Sequence, residues 1–180
     1  MSKALVIIDV QKGMWSNPDW PPFDGDAVVA RIADLIARAR AAGAPVMYVQ
    51  HHGKDEPNHP FKPGLPGYPF HDAIAPRPGD DVTVKTKSSA FHRTDFDAKL
   101  KARGIDHLVI TGMQSEFCVN SAIRGAYERD YKITLVSDAH STGDLGPAKA
   151  KDIIALQNAI SRDFAQVKPA AEVSFSEAGL

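Results

Sequence analysis

The chain has 180 residues, 43% of them hydrophobic and 24% charged, with a formal net charge of −1. That length can bury a substantial core in one domain, expected to span residues 1–180. The charge balance excludes the electrostatic footprint of a nucleic-acid or acidic-membrane binder, and no apolar run reaches the length of a membrane span.

The N-terminus MSKALVIIDVQ has no signal-peptide cleavage pattern, because its apolar run ends on Asp9, and a cytoplasmic location is expected. The one cysteine, Cys118, excludes an internal disulfide and a four-thiolate zinc site. In chain order, Ala4–Val10 is a nearly unbroken apolar strand interrupted at its end by Asp9, a carboxylate that is costly to bury without a partner. Residues 18–24 are loop. Val28, Val29, Ile32, Leu35, Ile36 and Ala39 give a helix over 26–42 the spacing of one apolar face, closed by Gly43. A second strand covers 45–51. Residues 52–80 carry most of the prolines and several histidines without any period, and a loop this long in a compact domain is usually functional.

A third strand over 81–86 ends its alternation at Lys85, and Thr94 to Asp97 cap a helix that runs to Arg103 before Gly104. The apolar run Leu108-Val109-Ile110 is a fourth strand. It is broken by Gly112 to Glu116, and a helix from Phe117 follows, with Val119, Ala122, Ile123, Ala126 and Tyr127 on one face. Cys118 falls in the first turn of that helix. There the helix dipole, together with a nearby lysine, is expected to lower a thiol pKa. Ser115 is read as a cap of the same helix, a role also open to Glu116. A fifth strand covers 132–139, with His140 and Thr142 in the turn after it. A helix over 147–161 turns Ile153, Ile154, Leu156 and Ile160 inward, and a short last strand lies within 163–168.

This alternation implies a three-layer αβα domain built on a mostly parallel, doubly wound sheet of about six strands. Ligands in such sheets bind beyond the carboxyl ends of the strands, near the point where strand order reverses. Asp9, Lys85 and Cys118 all fall at that edge, from three distant parts of the chain. An ionised Asp9 can take a thiol proton and later deliver it to a leaving amine, while Lys85 stabilises the negative charges. Backbone N–H groups of Gln114 and Cys118 are the candidate oxyanion donors. Gln50, His51, Tyr68, Phe91, Gln114 and Phe117 are candidates to line a substrate pocket. Trp15 and Trp20 are candidates to close it or to make a subunit contact.

The pieces ALVIIDVQKGMW, VTVKTKSSAFHRTDFDAKL, HLVITGMQSEFCVNSAIRGAYERDY and KITLVSDAHST, with the strand PVMYVQHH, resemble the isochorismatase-like cysteine hydrolases. That family includes nicotinamidases, N-carbamoylsarcosine amidases and streptothricin hydrolases. The resemblance implies an Asp9-Lys85-Cys118 triad and a non-proline cis peptide between Met113 and Gln114. It also implies homodimers or homotetramers, a small-molecule substrate and no organic cofactor. GMQSEFCV followed by DAHST is most similar to streptothricin-hydrolase-like amidases. Nicotinamidases hold a metal with an Asp-x-His pair and a further His after the second strand. This chain reads Gln50-His51-His52 there, and His51, His52, His59 and His71 without a carboxylate are not expected to bind one. The alternatives are a nicotinamidase or pyrazinamidase with an altered metal site, and a catalytically silent binding or assembly domain.

Overall fold

The computed structural model describes residues 2–18, 20–53 and 57–176. The loops expected over 18–24 and 52–80 therefore include positions outside the described residues (19 and 54–56), as does the expected domain span at 1 and 177–180.

Six parallel strands form the sheet: β1 (Lys3–Ile8), β2 (Val46–His51), β3 (Asp81–Lys85), β4 (His107–Met113), β5 (Lys132–Ser141) and β6 (Gln166–Lys168). Their order is β3-β2-β1-β4-β5-β6, so strand order reverses between β1 and β4. The helices are α1 (Gly25–Ala41), α2 (Phe96–Ala102), α3 (Asn120–Tyr127) and α4 (Ala150–Ser161). None is long and apolar enough to cross a membrane.

Strand pleating divides the core in two. Leu5 and Ile7 of β1 face Val28, Ile32, Leu35 and Ile36 of α1. Ala4, Val6 and Ile8 face Phe96 and Leu100 of α2 and Ala122, Ile123 and Ala126 of α3 on the other side. Both faces of β1 are thus apolar, which is why it shows no alternation.

α4 corrects the expected face. Ala150, Gln157 and Ser161 are its buried residues, the last two joined by a 2.8 Å hydrogen bond, whereas Leu156 is 62% exposed. The apolar residues of α4 are too numerous to share one stripe, and its polar contacts decide which side turns in.

At the reversal point the backbones of β1 and β4 approach closely. Ile8 pairs with Gly112, which has φ of 120°, and a Cβ there would collide with the Ile8 backbone. Only glycine combines that φ with that approach. Gly112→Ala should lower stability by about 3 kcal/mol or more, read as a shift of the urea midpoint at unchanged slope, whereas Gly43→Ala, with open space around it but a φ of 71°, should cost less.

Candidate active site

The carboxyl edge of the sheet at the reversal point gathers residues from four strands. β1 ends at Ile8 because Asp9 has φ of 50°, a left-handed conformation that aspartate tolerates better than most residues and that turns the chain off the strand. β3 ends on Lys85, two strands away, a separation of about 9.6 Å in a sheet. A long side chain is required to cross it, and Lys85 does so over His51, its register partner at the end of β2.

Lys85 Nζ lies 2.6 Å from Asp9 Oδ2, with both side chains at most 1% exposed. It is 3.2 Å from Cys118 Sγ, 3.2 Å from His51 Nδ1 and 3.1 Å from the Lys87 carbonyl oxygen. An Asp9 oxygen, a His51 ring nitrogen and Cys118 Sγ lie within 4.8 Å of one another. Cys118 as a residue is only partly buried.

Electrostatics here differ from the sequence expectation for the thiol. Burial, reinforced by the Asp9 carboxylate, pushes the Cys118 pKa up to about 12, and Lys85 offsets only part of that. The resting group is a thiol, not a thiolate. Burial also raises the Asp9 pKa against the lowering pull of Lys85. For Lys85, burial acts downward, but the attraction of Asp9 and Cys118 leaves its pKa raised, so it stays an ammonium. Burial, then the Lys85 charge, lowers His51 to about 4, so its Nδ1 accepts from Lys85.

The segment that presents Cys118 is a π-helical turn, Ser115–Val119, leading into α3. The Gln114 carbonyl accepts from the N–H groups of Phe117 at 3.2 Å and Val119 at 3.1 Å. An α-helix would direct the Cys118 N–H to that carbonyl. The wider turn directs the Val119 N–H there instead, and such π-helical turns are frequent at functional sites. The Met113–Gln114 peptide just before it is cis.

Several pocket candidates have other partners. Gln50 donates to the Tyr68 carbonyl at 3.0 Å, because strand alternation turns it away from the face that carries His51. The Tyr68 ring lies edge-on to His52. Trp15 packs on the α1 side of the core, its ring 5.0 Å from that of His71. Phe91 is 8% exposed and packs on Phe96 and Tyr131, with Arg129 over its ring, as a core residue. Phe117 is 42% exposed. Trp20 donates to the Asp144 carbonyl.

Sequence reading missed Gln11, which is fully buried. Its amide accepts from the His51 N–H at 2.8 Å and donates to the carbonyls of His51 at 3.0 Å and Tyr68 at 2.7 Å. With Gly13, whose N–H bonds to the Gly67 carbonyl, it ties the long loop to the turn after Asp9. The available signal was a glutamine two residues past Asp9, in a turn with no other buried amide. Phe61, edge-on to His51, was missed too.

Three of the loop histidines have Nδ1 engaged. Nδ1 of His51 faces an ammonium, and Nδ1 of His59 and of His71 each accept a backbone N–H. Asp9, the carboxylate closest to His51 in this set, is paired with Lys85.

Residues 3–163 match the isochorismatase domain model. The chain belongs to the isochorismatase family. Streptothricin hydrolase of Streptomyces noursei is 36% identical over 146 residues, 81% of this chain and 57% of that protein, so the chain spans little more than half its length. Ureidoacrylate amidohydrolase RutB of Methylobacterium radiotolerans is 34% identical over 174 residues, 77% of this chain and 67% of that protein. The crystal structure of an isochorismatase from Pseudomonas putida KT2440 has a TM-score of 0.89 at 33% identity, covering 95% of this chain and 89% of that one. The sheet is that of the isochorismatase-family hydrolases.

The electrostatic balance at this hydrolase's thiol can be measured through alkylation. The rate of Cys118 modification by iodoacetamide should rise with pH along a midpoint above the ordinary thiol value of about 8.5. Asp9→Asn should bring that midpoint down, and Lys85→Met should move it further up. A wild-type midpoint at or below the ordinary value would contradict the balance.

Proposed function

We propose that this isochorismatase-family protein is a cysteine amidase that hydrolyses the C–N bond of a small amide through a thioester on Cys118. The reading is carried by one observation. A buried carboxylate, an ammonium and a thiol from three strand ends converge at the sheet reversal, with Lys85 Nζ within 3.2 Å of both other groups. The named relatives, a streptothricin hydrolase and an amidohydrolase, support the bond class. The long loop fastened to the segment after Asp9 is where the substrate is selected.

The reaction starts from neutral thiol and ionised Asp9. Substrate binding brings a carbonyl carbon to Sγ, and the S–H proton passes to Asp9 as the C–S bond forms. Negative charge moves to the carbonyl oxygen, against the N–H groups of Gln114 and Cys118. Protonated Asp9 then donates to the nitrogen, the C–N bond breaks, and ammonia or an amine leaves. Water attacks the thioester, giving its proton to Asp9. Collapse expels the Cys118 sulfur, which recovers that proton as the carboxylic acid departs.

Lys85 stays charged throughout and accompanies the negative charge as it moves between Asp9, Sγ and the intermediate. Its pairing with Asp9 also keeps the carboxylate from being stranded in the core, where an unpaired ion costs several kcal/mol. The neutral His51 holds Lys85 by accepting from it and adds no competing charge. This cycle requires no metal.

Ammonia release from a panel of small primary amides, including nicotinamide and pyrazinamide, tests the reading. Turnover of at least one member should vanish in Cys118→Ala and fall by about 10³-fold or more in Asp9→Asn, and it should persist after chelation. Activity should decline on acidification at a pH above the usual aspartate pKa of about 3.9, because the base form of Asp9 is required and burial raises its pKa. Turnover that survives Cys118→Ala would overturn the thioester route.

A further inference from the structure

The mechanism leaves one buried chain of polar groups unused. Ser115 Oγ lies 2.7 Å from His140 Nδ1, His140 Nε2 lies 3.0 Å from Asn158 Oδ1, and Asn158 Nδ2 donates to the Ser137 carbonyl at 3.0 Å. Ser115 is fully buried and His140 is 1% exposed. Ser115 was expected to cap the helix and His140 to serve a turn. The turn has no side-chain cap, and the two residues instead bond to each other.

The directions of these bonds follow from donor and acceptor chemistry. A carbonyl only accepts, so the NH₂ of Asn158 faces Ser137 and its Oδ1 faces the ring. Oδ1 also only accepts, so His140 Nε2 carries the hydrogen. In a neutral imidazole Nδ1 is then an acceptor, and the Ser115 hydroxyl donates to it.

The register of β5 makes this possible. β4 pairs Ile110 with Leu135 but Gly112 with His140, so extra β5 residues bulge out between the two pairs. The bulge presents the Ser137 carbonyl to α4 and sets His140 beside the turn after β4. Bulges next to active sites commonly re-aim a side chain in this way. Two residues on, Thr142 donates to Glu116 Oε1 at 2.8 Å, a second tether from the same strand end.

We infer that His140, held as the Nε2–H tautomer by Asn158, is a positioning residue that fixes the Gln114–Cys118 turn through Ser115, and with it the geometry of nucleophile and oxyanion donors. The inference rests on the amidase reading for its catalytic consequence, not for the tether itself. Burial keeps the ring neutral by lowering its pKa, with Asn158 and the Asp138 charge acting the other way. An apolar residue would fill the same volume but would leave the Ser115 hydroxyl without an acceptor.

NMR, steady-state kinetics and Cys118 alkylation, with a double-mutant comparison, test this on the full chain. Long-range proton–nitrogen NMR of the imidazoles should show His140 as the Nε2–H tautomer, unchanged between about pH 6 and 9. Ser115→Ala, which removes a single oxygen, should lower kcat by about 10- to 100-fold with KM within about 3-fold. It should also change the rate of Cys118 alkylation by at least about 3-fold, and Ser115→Ala combined with His140→Leu should be no worse than His140→Leu alone. An Nδ1–H tautomer, ring protonation in that pH range, or a Ser115→Ala protein within about 2-fold of wild type in alkylation would overturn the inference. If His140→Leu does not fold, the tautomer and Ser115→Ala still decide it. If no amide is turned over, the amidase reading fails, whereas the tautomer and the alkylation rates still decide the tether.

Discussion

A cation held 2.6 Å from a carboxylate inside the protein constrains everything around it. Desolvating either charge alone would cost more than a domain of this size can spare, so Lys85 and Asp9 have to meet. Their meeting fixes the length of β3, the left-handed turn at Asp9 and the path of the lysine over His51. It also determines what the thiol can be. A thiolate beside Asp9 would place two negative charges against one ammonium in a buried site, and the thiol pKa is raised accordingly.

Around this pair, two layers of hydrogen bonding hold the backbone in unusual shapes. On one side Gln11 spends both ends of its amide on the backbone of His51 and Tyr68, docking the long loop against the end of β1. On the other, His140 and Thr142 reach from β5 to Ser115 and Glu116 in the π-helical turn. Each tether is a buried polar group whose partner comes from a distant segment. Loss of a partner leaves an unmet donor or acceptor, so these bonds define the local geometry more sharply than apolar packing does.

The long loop is held in place through its backbone. Its 67–71 stretch is fastened to the 10–13 segment by bonds from Lys12 N–H to Pro69, Gly13 N–H to Gly67 and His71 N–H to Val10. These contacts are backbone to backbone, and they demand small residues: a Cβ on Gly67 would collide with the Pro60 carbonyl and one on Gly13 with the Phe61 ring.

What the sequence determined by itself was the alternation of elements, the parallel sheet and the three residues at strand ends. These follow from local rules: continuous apolar runs mark strands covered on both faces, the 3.6 period marks helices, and a charged residue ending a buried run demands a partner. Family resemblance added the position of the cis peptide, which no periodicity contains. Tertiary structure alone decided which partner each polar group found. The buried face of α4 went to Gln157 and Ser161, Phe91 went to the core, and Gln50 was spent on a loop carbonyl. The thiol pKa moved up, because burial and the Asp9 charge are properties of the assembled site and outweigh the helix start visible in the chain. The Ser115–His140–Asn158 chain was beyond sequence reading for the same reason. It depends on a shift of register inside β5, and register is set by pairing with β4, not by the residues of β5 alone.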